Sequence, residues 1–522
     1  MCKYFTINIS DNMPVLDILS YLYMILTRWF QRAYLQTLLF LGHITSRFGA
    51  RAGSLRIISI KSSDDVFSIL QAQIRLNSDE KFVIELPWRT IHVLPRSFLA
   101  DYGWKKDDKI SSNIDLRERI LGKWTLLGSL TPMEPGDRTH SAVAFIKDSM
   151  TKRMALYFDA VHEEIAFGID THIGKCADWR GRSAYHLSVN LNMKIFERVF
   201  VGLDLCRNND WNEACQGYST SAIHTAATLM GYSWWQQPIV ARFLPECKSL
   251  NRHIANLQKH LDAILRSRLK DTELQVQKPG RTVNRTDFID WWIQNVPEDK
   301  VADSYALTVA LIQLNIAGIQ STAMVLMHAL FDLASRTEYT EPLLAELRQV
   351  CEEHGSSSLS PKALSKLVKL DSFLKESQRH ISQNLLSVYR KVMAPLHLRD
   401  GSILPTGSYV AVPSLNSPIE QSTCNFEGFR WAKLASISEN PQKLSSVASG
   451  TDSLEYGYGV HACPGRFFAS NAVKATLAAI LLRFELRMPP GETIPTQKYN
   501  SILVLVPPKE SVVQFRARPV QY

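Results

Sequence analysis

The spacing of apolar residues along most of the chain predicts α-helices. Apolar side chains recur three and four positions apart in "MTKRMALYFDAVHEEIAFGI" (150–169) and "LNRHIANLQKHLDAILRSRLK" (250–270). The same pattern runs through "RFFASNAVKATLAAILLRFEL" (466–486). This spacing is typical of helices that bury one face. The middle of the chain is therefore predicted to be helical.

Strand patterns occur in two zones, one near each end of the chain. The predicted strands are "LRIISIK" (55–61), "KFVIEL" (81–86), "RTIHVLP" (89–95), "GSYVAVPS" (407–414), "SILVLVP" (501–507) and "SVVQFRARP" (511–519). We therefore predict a mainly α fold with small β-sheets built from distant parts of the chain.

The first 50 residues form a hydrophobic region that is interrupted by charges. Its two apolar runs carry Asp17, Arg28 and Arg32, and neither reaches the roughly 20 clean apolar residues that span a bilayer. A membrane anchor and a buried or interfacial pair of amphipathic helices both remain open for 1–50. Neither a long linker nor a repeat divides the rest, so 51–522 is predicted to be a single domain.

Composition and charge exclude several classes of protein. With 45% hydrophobic and 21% charged residues, the chain of 522 residues is globular. Its eight cysteines form no CxxC pair, which argues against a disulfide scaffold or an all-cysteine zinc site. The net charge of +9 is scattered along the chain, so we expect no nucleic-acid partner and a surface suited to acidic proteins or anionic lipid.

The stretch "YGYGVHACPGRFFA" places Cys463 just before a helical pattern. The free N–H groups and the positive dipole end of a helix favour a thiolate over a thiol. Gly457, Gly459 and Gly465 would let the backbone approach a flat ligand. A thiolate held in this way suits an iron-porphyrin as an axial ligand, because its electron donation promotes cleavage of O–O bonds.

The turn has two other interpretations. A lone cysteine is most often a small buried hydrophobe. "GYGVHA" also fits the GxGxxA pattern of dinucleotide-binding turns, with Glu485 downstream. The preceding segment is a loop rather than a strand, however, and too few residues follow Glu485 to complete such a sheet.

The turn resembles the haem-binding signature of the cytochrome P450 family, aromatic-G-x-G-x-H-x-C-P-G, with Tyr456 at the aromatic position. The resemblance implies the P450 fold and haem b, with Cys463 as the axial ligand of the iron. It also implies cofactor contacts from the other residues of the signature, which here are Tyr456, Gly457, Gly459, His461 and Gly465.

Two further motifs follow the family's order. "KESQR" puts Glu376 and Arg379 three apart on one helix face, where they can pair. "FEGFRW" supplies Arg430, and the resemblance implies that these three residues form a structural lock on the side of the haem where the thiolate lies.

The segment "LTVALIQLNIAGIQSTAMVLMHALFDLAS" resembles the family's long central helix over the haem. Its catalytic candidates are Gly318, Gln320, Ser321 and Thr322. Gln320 stands where a carboxylate is usual and Ser321 where threonine is usual. Because Gln320 cannot ionise, proton delivery would rely on hydroxyls and ordered water.

Haem carboxylates need cations, and the candidates are His140, Arg390 and His461. The stretches that line the family's substrate pocket are rich in Leu, Met, Trp and Tyr. The chain resembles filamentous-fungal secondary-metabolite members, so a bulky apolar substrate, terpenoid or indole-terpenoid, is expected.

The resemblance implies a monooxygenase that uses O2 and electrons from an NADPH-dependent P450 reductase. It further implies association with the endoplasmic reticulum membrane, with the catalytic domain in the cytosol. Two alternatives remain. Gln320 keeps open a haem-thiolate isomerase or dehydratase that needs no reductase, and a shortened loop before Arg430 keeps open a degenerate haem-binding protein.

Overall fold

A computed structural model describes the chain over residues 55–60, 65–76, 79–86, 88–126, 142–233, 235–277, 285–414, 425–496, 498–499 and 503–519. The predictions for the region 1–50 and for His140 lie outside these residues. Arg56–Tyr522 forms one compact unit.

Helices make up most of the described chain. The longer ones are α1 (Val66–Leu76), α2 (Ser112–Arg119), α3 (Phe158–His172), α4 (Ala184–Phe200), α5 (Asn209–Met230), α6 (Pro245–Gln277), α7 (Phe288–Asn295), α8 (Ser304–Asn315), α9 (Ser321–Ser335), α10 (Thr340–His354), α11 (Val368–His380), α12 (Arg430–Ile437) and α13 (Arg466–Arg483). Short helices lie at Leu99–Tyr102, Gly122–Thr125, Ala142–Ala144, Leu203–Cys206, Gln237–Phe243, Glu298–Val301 and Pro361–Leu364.

Side-chain caps fix where several of these helices begin. Asp303 accepts the N–H groups of Tyr305 and Ala306 at 3.0 Å and starts α8. Ser183 caps α4 by accepting the N–H of His186 at 3.2 Å. Such caps satisfy donors that have no partner within the helix.

Helices α8 and α9 are joined by a π-helical turn, Ile316–Gln320, into one central helix. Over the described ranges, this is the one helix long and apolar enough to cross a membrane, but 56% of its most apolar window is buried inside the fold. The main apolar core surrounds it and includes Leu311, Leu326 and Phe331. These properties are those of a core helix.

The strands form three sheets from segments far apart in sequence. They are β1 (Arg56–Ser59), β2 (Phe82–Leu86), β3 (Arg89–Val93), β4 (Ile110–Ser111), β5 (Arg180–Ser183), β6 (Leu386–Val392), β7 (Leu396–His397), β8 (Ile403–Leu404), β9 (Tyr409–Pro413), β10 (Phe484–Arg487) and β11 (Val512–Ala517). The six-stranded sheet has the order β1-β2-β3-β9-β6-β4. Strands β10, β11 and β5 form a second sheet, and β7 pairs with β8.

The predicted fold class, mainly α with small sheets, is confirmed. Some boundaries were wrong. Helix α3 begins only at Phe158, after a π-helical segment (Phe145–Thr151), and α13 ends at Arg483, where the chain enters β10. Of the predicted strand 501–507, residues 503–507 are described, and they form only isolated bridges at Val504 and Leu505.

Six strands, β4 to β8 and β10, escaped prediction, and for β5 and β6 tertiary pairing is the reason. Strand β5, "RGRS", has no apolar alternation, yet it pairs antiparallel with β11, with Ser183 opposite Val512. Strand β6 pairs with β9 across an irregularity between Ser387 and Arg390. Context of this kind outweighs the β-propensity of the sequence.

Candidate active site

The Cys463 turn is a closed loop at the start of α13. The N–H of Cys463 donates to the carbonyl of Tyr456 at 2.8 Å. Gly457 and Gly459 have φ values of +73° and +75°, in the region that glycine adopts without strain. The half-buried Cys463 lies three residues before the first residue of α13, and Arg466 Nη1 donates to its carbonyl at 2.7 Å.

Two opposing electrostatic effects act on the sulfur. The Gly465 and Arg466 N–H groups and the Arg466 charge lower the pKa of the Cys463 thiol, in the direction that the sequence predicts for a helix end. Burial raises this pKa by more, because desolvation disfavours the charged thiolate. A buried sulfur of this kind becomes a thiolate when a metal ion binds it.

Gly103, a glycine from a distant part of the chain, packs against this turn. A Cβ on Gly459 would lie 1.8 Å from the carbonyl oxygen of Gly103, and a Cβ on Gly103 would lie 2.5 Å from the Tyr458 ring. The N–H of Val460 donates to that carbonyl at 3.3 Å, and Trp104 Nε1 donates to the Tyr458 hydroxyl at 3.2 Å. Sequence analysis missed Gly103 because no local pattern indicates that its segment crosses the turn.

Two residues of α11, Glu376 and Arg379, come together with Arg430 at the start of α12. These three residues are here called the Glu376 lock. The fully buried Glu376 carboxylate accepts from Arg379 Nε at 2.9 Å and Nη2 at 2.7 Å, and Arg430 Nε lies 3.4 Å away. The Glu427 N–H and Trp431 Nε1 also donate to it, at 3.0 and 3.1 Å. Trp431 was missed, although it directly follows Arg430 in the quoted motif.

The lock lowers the pKa of Glu376. Burial alone would raise it, but the Arg379 hydrogen bond, the Glu427 N–H and the charges of Arg379 and Arg430 together outweigh burial. Glu376 is therefore a carboxylate at neutral pH, as a charge that accepts this many donors should be.

A second polar cluster connects helix α11 to α13, the helix that follows the Cys463 turn. Asp371, in the first turn of α11, accepts from the N–H and the hydroxyl of Ser446, both at 2.7 Å. Lys474 Nζ, in α13, donates to the same carboxylate at 3.2 Å. The Glu376 lock and the Cys463 turn are thus connected through two helices and one ion pair.

The catalytic candidates of the central helix lie on different faces. Ser321 is exposed, and its hydroxyl donates to the carbonyl of Ala317 at 2.8 Å. Thr322, one position on and about 100° around the helix, is buried. A Cβ on Gly318 would lie 2.5 Å from the ring of Phe196 in α4, so close helix packing requires glycine there. Of the four candidates, Ser321 is therefore the one that presents a hydroxyl at the surface of the helix.

Gln320 has a partner that sequence analysis did not identify. Its Oε1 accepts from the hydroxyl of Tyr185, in the first turn of α4, at 3.2 Å. Gln320 therefore points toward α4 and is held by a neutral hydrogen bond.

A polar cavity of about 170 Å³ lies beside the Cys463 turn. Its lining includes Ser112, Arg119, Arg390, Gly457, Tyr458 and His461. The Arg390 side chain donates to the carbonyls of Tyr389 and Tyr458, at 2.8 and 3.3 Å. Within the part of the chain that the structure describes, this buried guanidinium makes no ion pair with a carboxylate.

This cavity fits the carboxylates of haem. A buried cation bonded only to carbonyls stabilises an anion placed beside it. Arg390 and His461 were predicted as cations for this purpose, whereas Arg119 was not. The chain therefore offers a sulfur donor for iron, Cys463, beside a cavity lined by Arg390 and His461, the cations for acidic groups.

Comparison with known proteins agrees with this geometry. The cytochrome P450 family model matches residues 216–515. Cytochrome P450 monooxygenase BOA7 of Botryotinia fuckeliana is 32% identical over 401 residues, 72% of this chain and 73% of that protein. Cytochrome P450 monooxygenase olcJ of Penicillium canescens is 30% identical over 435 residues, 82% of this chain and 79% of that protein. Ent-kaurene oxidase of Gibberella intermedia is 32% identical over 427 residues, 80% and 77% of the two chains. The chain belongs to the cytochrome P450 family.

Proposed function

We propose that this protein oxidises a bulky apolar secondary metabolite, terpenoid or indole-terpenoid, with O2 and with electrons from an NADPH-dependent P450 reductase. Its family and its monooxygenase relatives make it an oxygen-incorporating oxidoreductase. The substrate, the reductase and the residue roles belong to the proposal. Haem held by a thiolate supplies the activation of dioxygen.

One observation carries the proposal: Cys463 lies at the start of α13 on a turn whose backbone N–H groups point at the sulfur. Cys463 would hold the iron, and Arg390 and His461 would bind the haem carboxylates. The Glu376 lock would keep α11, and through Asp371 and Lys474 also α13, in position. In the central helix, the Ser321 hydroxyl would hold a proton for the reaction.

The substrate class is supported by the relatives and by the composition of the chain. One relative is named ent-kaurene oxidase, and ent-kaurene is a terpene hydrocarbon. The stretches that line the substrate pocket in the family are rich in Leu, Met, Trp and Tyr in this chain, and apolar pockets bind their ligands by shape and burial. Oxidation of a hydrocarbon skeleton therefore suits this chain better than oxidation of a polar metabolite.

Charge and family support a proposal for the partner and the cellular location. A net charge of +9 favours docking of an acidic reductase. We further propose that the protein works at the endoplasmic reticulum membrane with its catalytic domain in the cytosol, held by the hydrophobic region 1–50.

A reductase-independent isomerase or dehydratase is the second candidate, because Gln320 and its partner Tyr185 form a neutral pair where the family usually has an acid. Product that forms without NADPH would favour this alternative. Strict dependence on NADPH and O2 would favour the monooxygenase.

The first test is the absorption spectrum of the dithionite-reduced protein under carbon monoxide. We expect a strongly red-shifted Soret band that Cys463→Ser abolishes. Cys351→Ser is the matched control, since Cys351 is also half-buried but lies in α10. A Cys463→Ser protein that kept the band would refute the ligand assignment. A wild-type protein without the band would point to the degenerate haem-binding alternative.

A further inference from the structure

A buried carboxyl group, Glu197 in α4, lies outside the machinery described above. Its Oε2 accepts from Trp211 Nε1 in α5 at 2.8 Å, and its Oε1 accepts from Asn315 Nδ2 in the central helix, also at 2.8 Å. Cys215 lies within hydrogen-bonding reach of the carboxyl, and its sulfur is 3.4 Å from Asn315 Nδ2. Glu197 thus joins three helices in a fully buried position.

Glu197 lacks the counter-charge that usually accompanies a buried carboxylate. Among the described residues it forms no ion pair, and Lys194 acts on it only at a distance, since the Lys194 ammonium donates to the carbonyl of Cys206. Burial raises the pKa of Glu197 to about 7, although Trp211, Cys215 and Asn315 oppose the shift by hydrogen bonding. The carboxyl is therefore neutral in a large fraction of molecules at neutral pH, and its O–H then needs an acceptor.

Asn315 carries a candidate for such an acceptor. Its Oδ1 is buried and has no hydrogen-bond partner in the described structure. A buried acceptor left without a donor is costly, and a neutral carboxyl can donate to it while it accepts from Nδ2. The amide and the carboxyl are complementary in this form.

The contact lies at the π-helical turn of the central helix. Asn315 is the last residue of α8, and the π turn Ile316–Gln320 follows directly. Phe196, the neighbour of Glu197 in α4, packs against Gly318 within this turn. Single π turns inside α-helices need stabilisation from outside the helix and are frequent at functional sites. Two adjacent residues of α4 thus hold the turn that leads to Ser321.

We propose that Glu197 is a positioning residue, whose hydrogen bond to Asn315 holds the π turn in register and with it the hydroxyl of Ser321. The inference rests on the proposed function, because Ser321 matters for the reaction only there. It assigns Glu197 no contact with substrate or haem.

Hydrogen exchange in the haem-loaded full chain tests this role directly. Glu197→Leu and Asn315→Leu each remove the bond, and both should speed amide exchange over residues 316–322 about tenfold, the factor that one net hydrogen bond provides. Glu197→Gln keeps an acceptor for Asn315 Nδ2 and a donor for its Oδ1 but loses the bond from Trp211 Nε1, so residues 316–322 should exchange as in the wild type. The Gln variant also keeps the test informative if the Leu variants fold poorly.

Trp211→Phe is the matched control. It removes the other hydrogen bond of the same carboxyl, and it should speed exchange in α5 while residues 316–322 stay protected. In parallel, product formed per NADPH oxidised should fall severalfold in the two Leu variants and hold in Glu197→Gln and Trp211→Phe.

Unchanged exchange over 316–322 in both Leu variants would overturn the proposal. Equal acceleration there in Trp211→Phe would also overturn it, because Glu197 would then act only through general stability. The exchange result does not depend on turnover. If the wild type lacked the red-shifted carbon monoxide band, the proposed function would fail while the structural role of Glu197 could still be judged.

Discussion

Replacing Glu376 with glutamine tests the Glu376 lock with almost no change in shape. The carboxylate is fully buried, and the side chains of Arg379 and Arg430 are only 6% and 14% exposed. Glutamine keeps one acceptor oxygen but turns an N–H2 group toward donors and leaves two guanidinium groups without their counter-charge. Removing one partner of a buried ion pair costs about 3–5 kcal/mol. We expect Glu376→Gln to lower the free energy of unfolding by about this amount and to reduce haem content.

An exposed ion pair provides the control. Glu353 and Lys366 are 2.8 Å apart, but their side chains are 44% and 53% exposed. Glu353→Gln should therefore cost far less than Glu376→Gln, because solvent screens the exposed pair. Urea unfolding of the haem-loaded proteins, followed by fluorescence and by haem absorbance, measures both variants. If the free energies of unfolding of Glu376→Gln and Glu353→Gln differ by less than about 1 kcal/mol, the buried charge does not stabilise the Glu376 lock and the reasoning is wrong.

The pH dependence of the free energy of unfolding provides an independent test of the same prediction. Burial raises the pKa of Glu376, but its donors outweigh burial and bring the pKa below the ordinary 4.5. A lowered pKa in the folded state stabilises the protein above pH 4.5, and this contribution is lost as the pH falls through the folded value. The difference between wild type and Glu376→Gln should therefore shrink on acidification below pH 4.5. A difference that grew there would contradict the assignment.

Three further predictions concern the turn, the buried acid and the hydroxyl. Gly459→Ala should leave little haem-loaded protein, because its Cβ would lie 1.8 Å from the Gly103 carbonyl oxygen. The control Gly491→Ala, with φ +81° and open space around it, should cost only about 1 kcal/mol. Equal haem content in both variants would contradict the close contact between Gly103 and Gly459. The pKa of Glu197 is raised from 4.5 to about 7, so wild-type stability should fall as the pH rises across this window, by roughly 3 kcal/mol in total, while Glu197→Gln should not show this slope in urea unfolding. Ser321→Ala should lower product per NADPH oxidised without loss of haem, and unchanged coupling would move the proton to another hydroxyl or to water.

The sequence was most informative where a function requires several residue types at fixed spacing. The cysteine turn, the pair Glu376 and Arg379, and the following Arg430 could be placed because each motif is local and the three stand in order. The long central helix was equally clear from its apolar composition. Its π turn was not, because the turn depends on Phe196 and Glu197 of another helix.

The missed residues have a common cause. Gly103 matters only because its carbonyl meets Gly459, and Trp431 matters only because the chain folds back onto α11. The pKa of the Cys463 thiol has the same limitation. The helix end, which can be seen in the sequence, lowers this pKa, but burial, which is a property of the fold, raises it by more. Contacts between distant segments leave no periodic signal in a single sequence.

The two sides of the site are supported by different helices, and this separates their mutational effects. On the cysteine side, the Glu376 lock reaches α13 through Asp371 and Lys474, so damage there should appear as lost haem and an altered spectrum. On the side of the central helix, α4 shapes the π turn through Phe196 and Glu197, so damage there should appear as poor coupling in a protein that keeps its haem. If Glu376→Gln lost coupling at full haem content, or Glu197→Leu lost haem before coupling, the two supports would not be independent, and the site would have to be described as one cooperative unit.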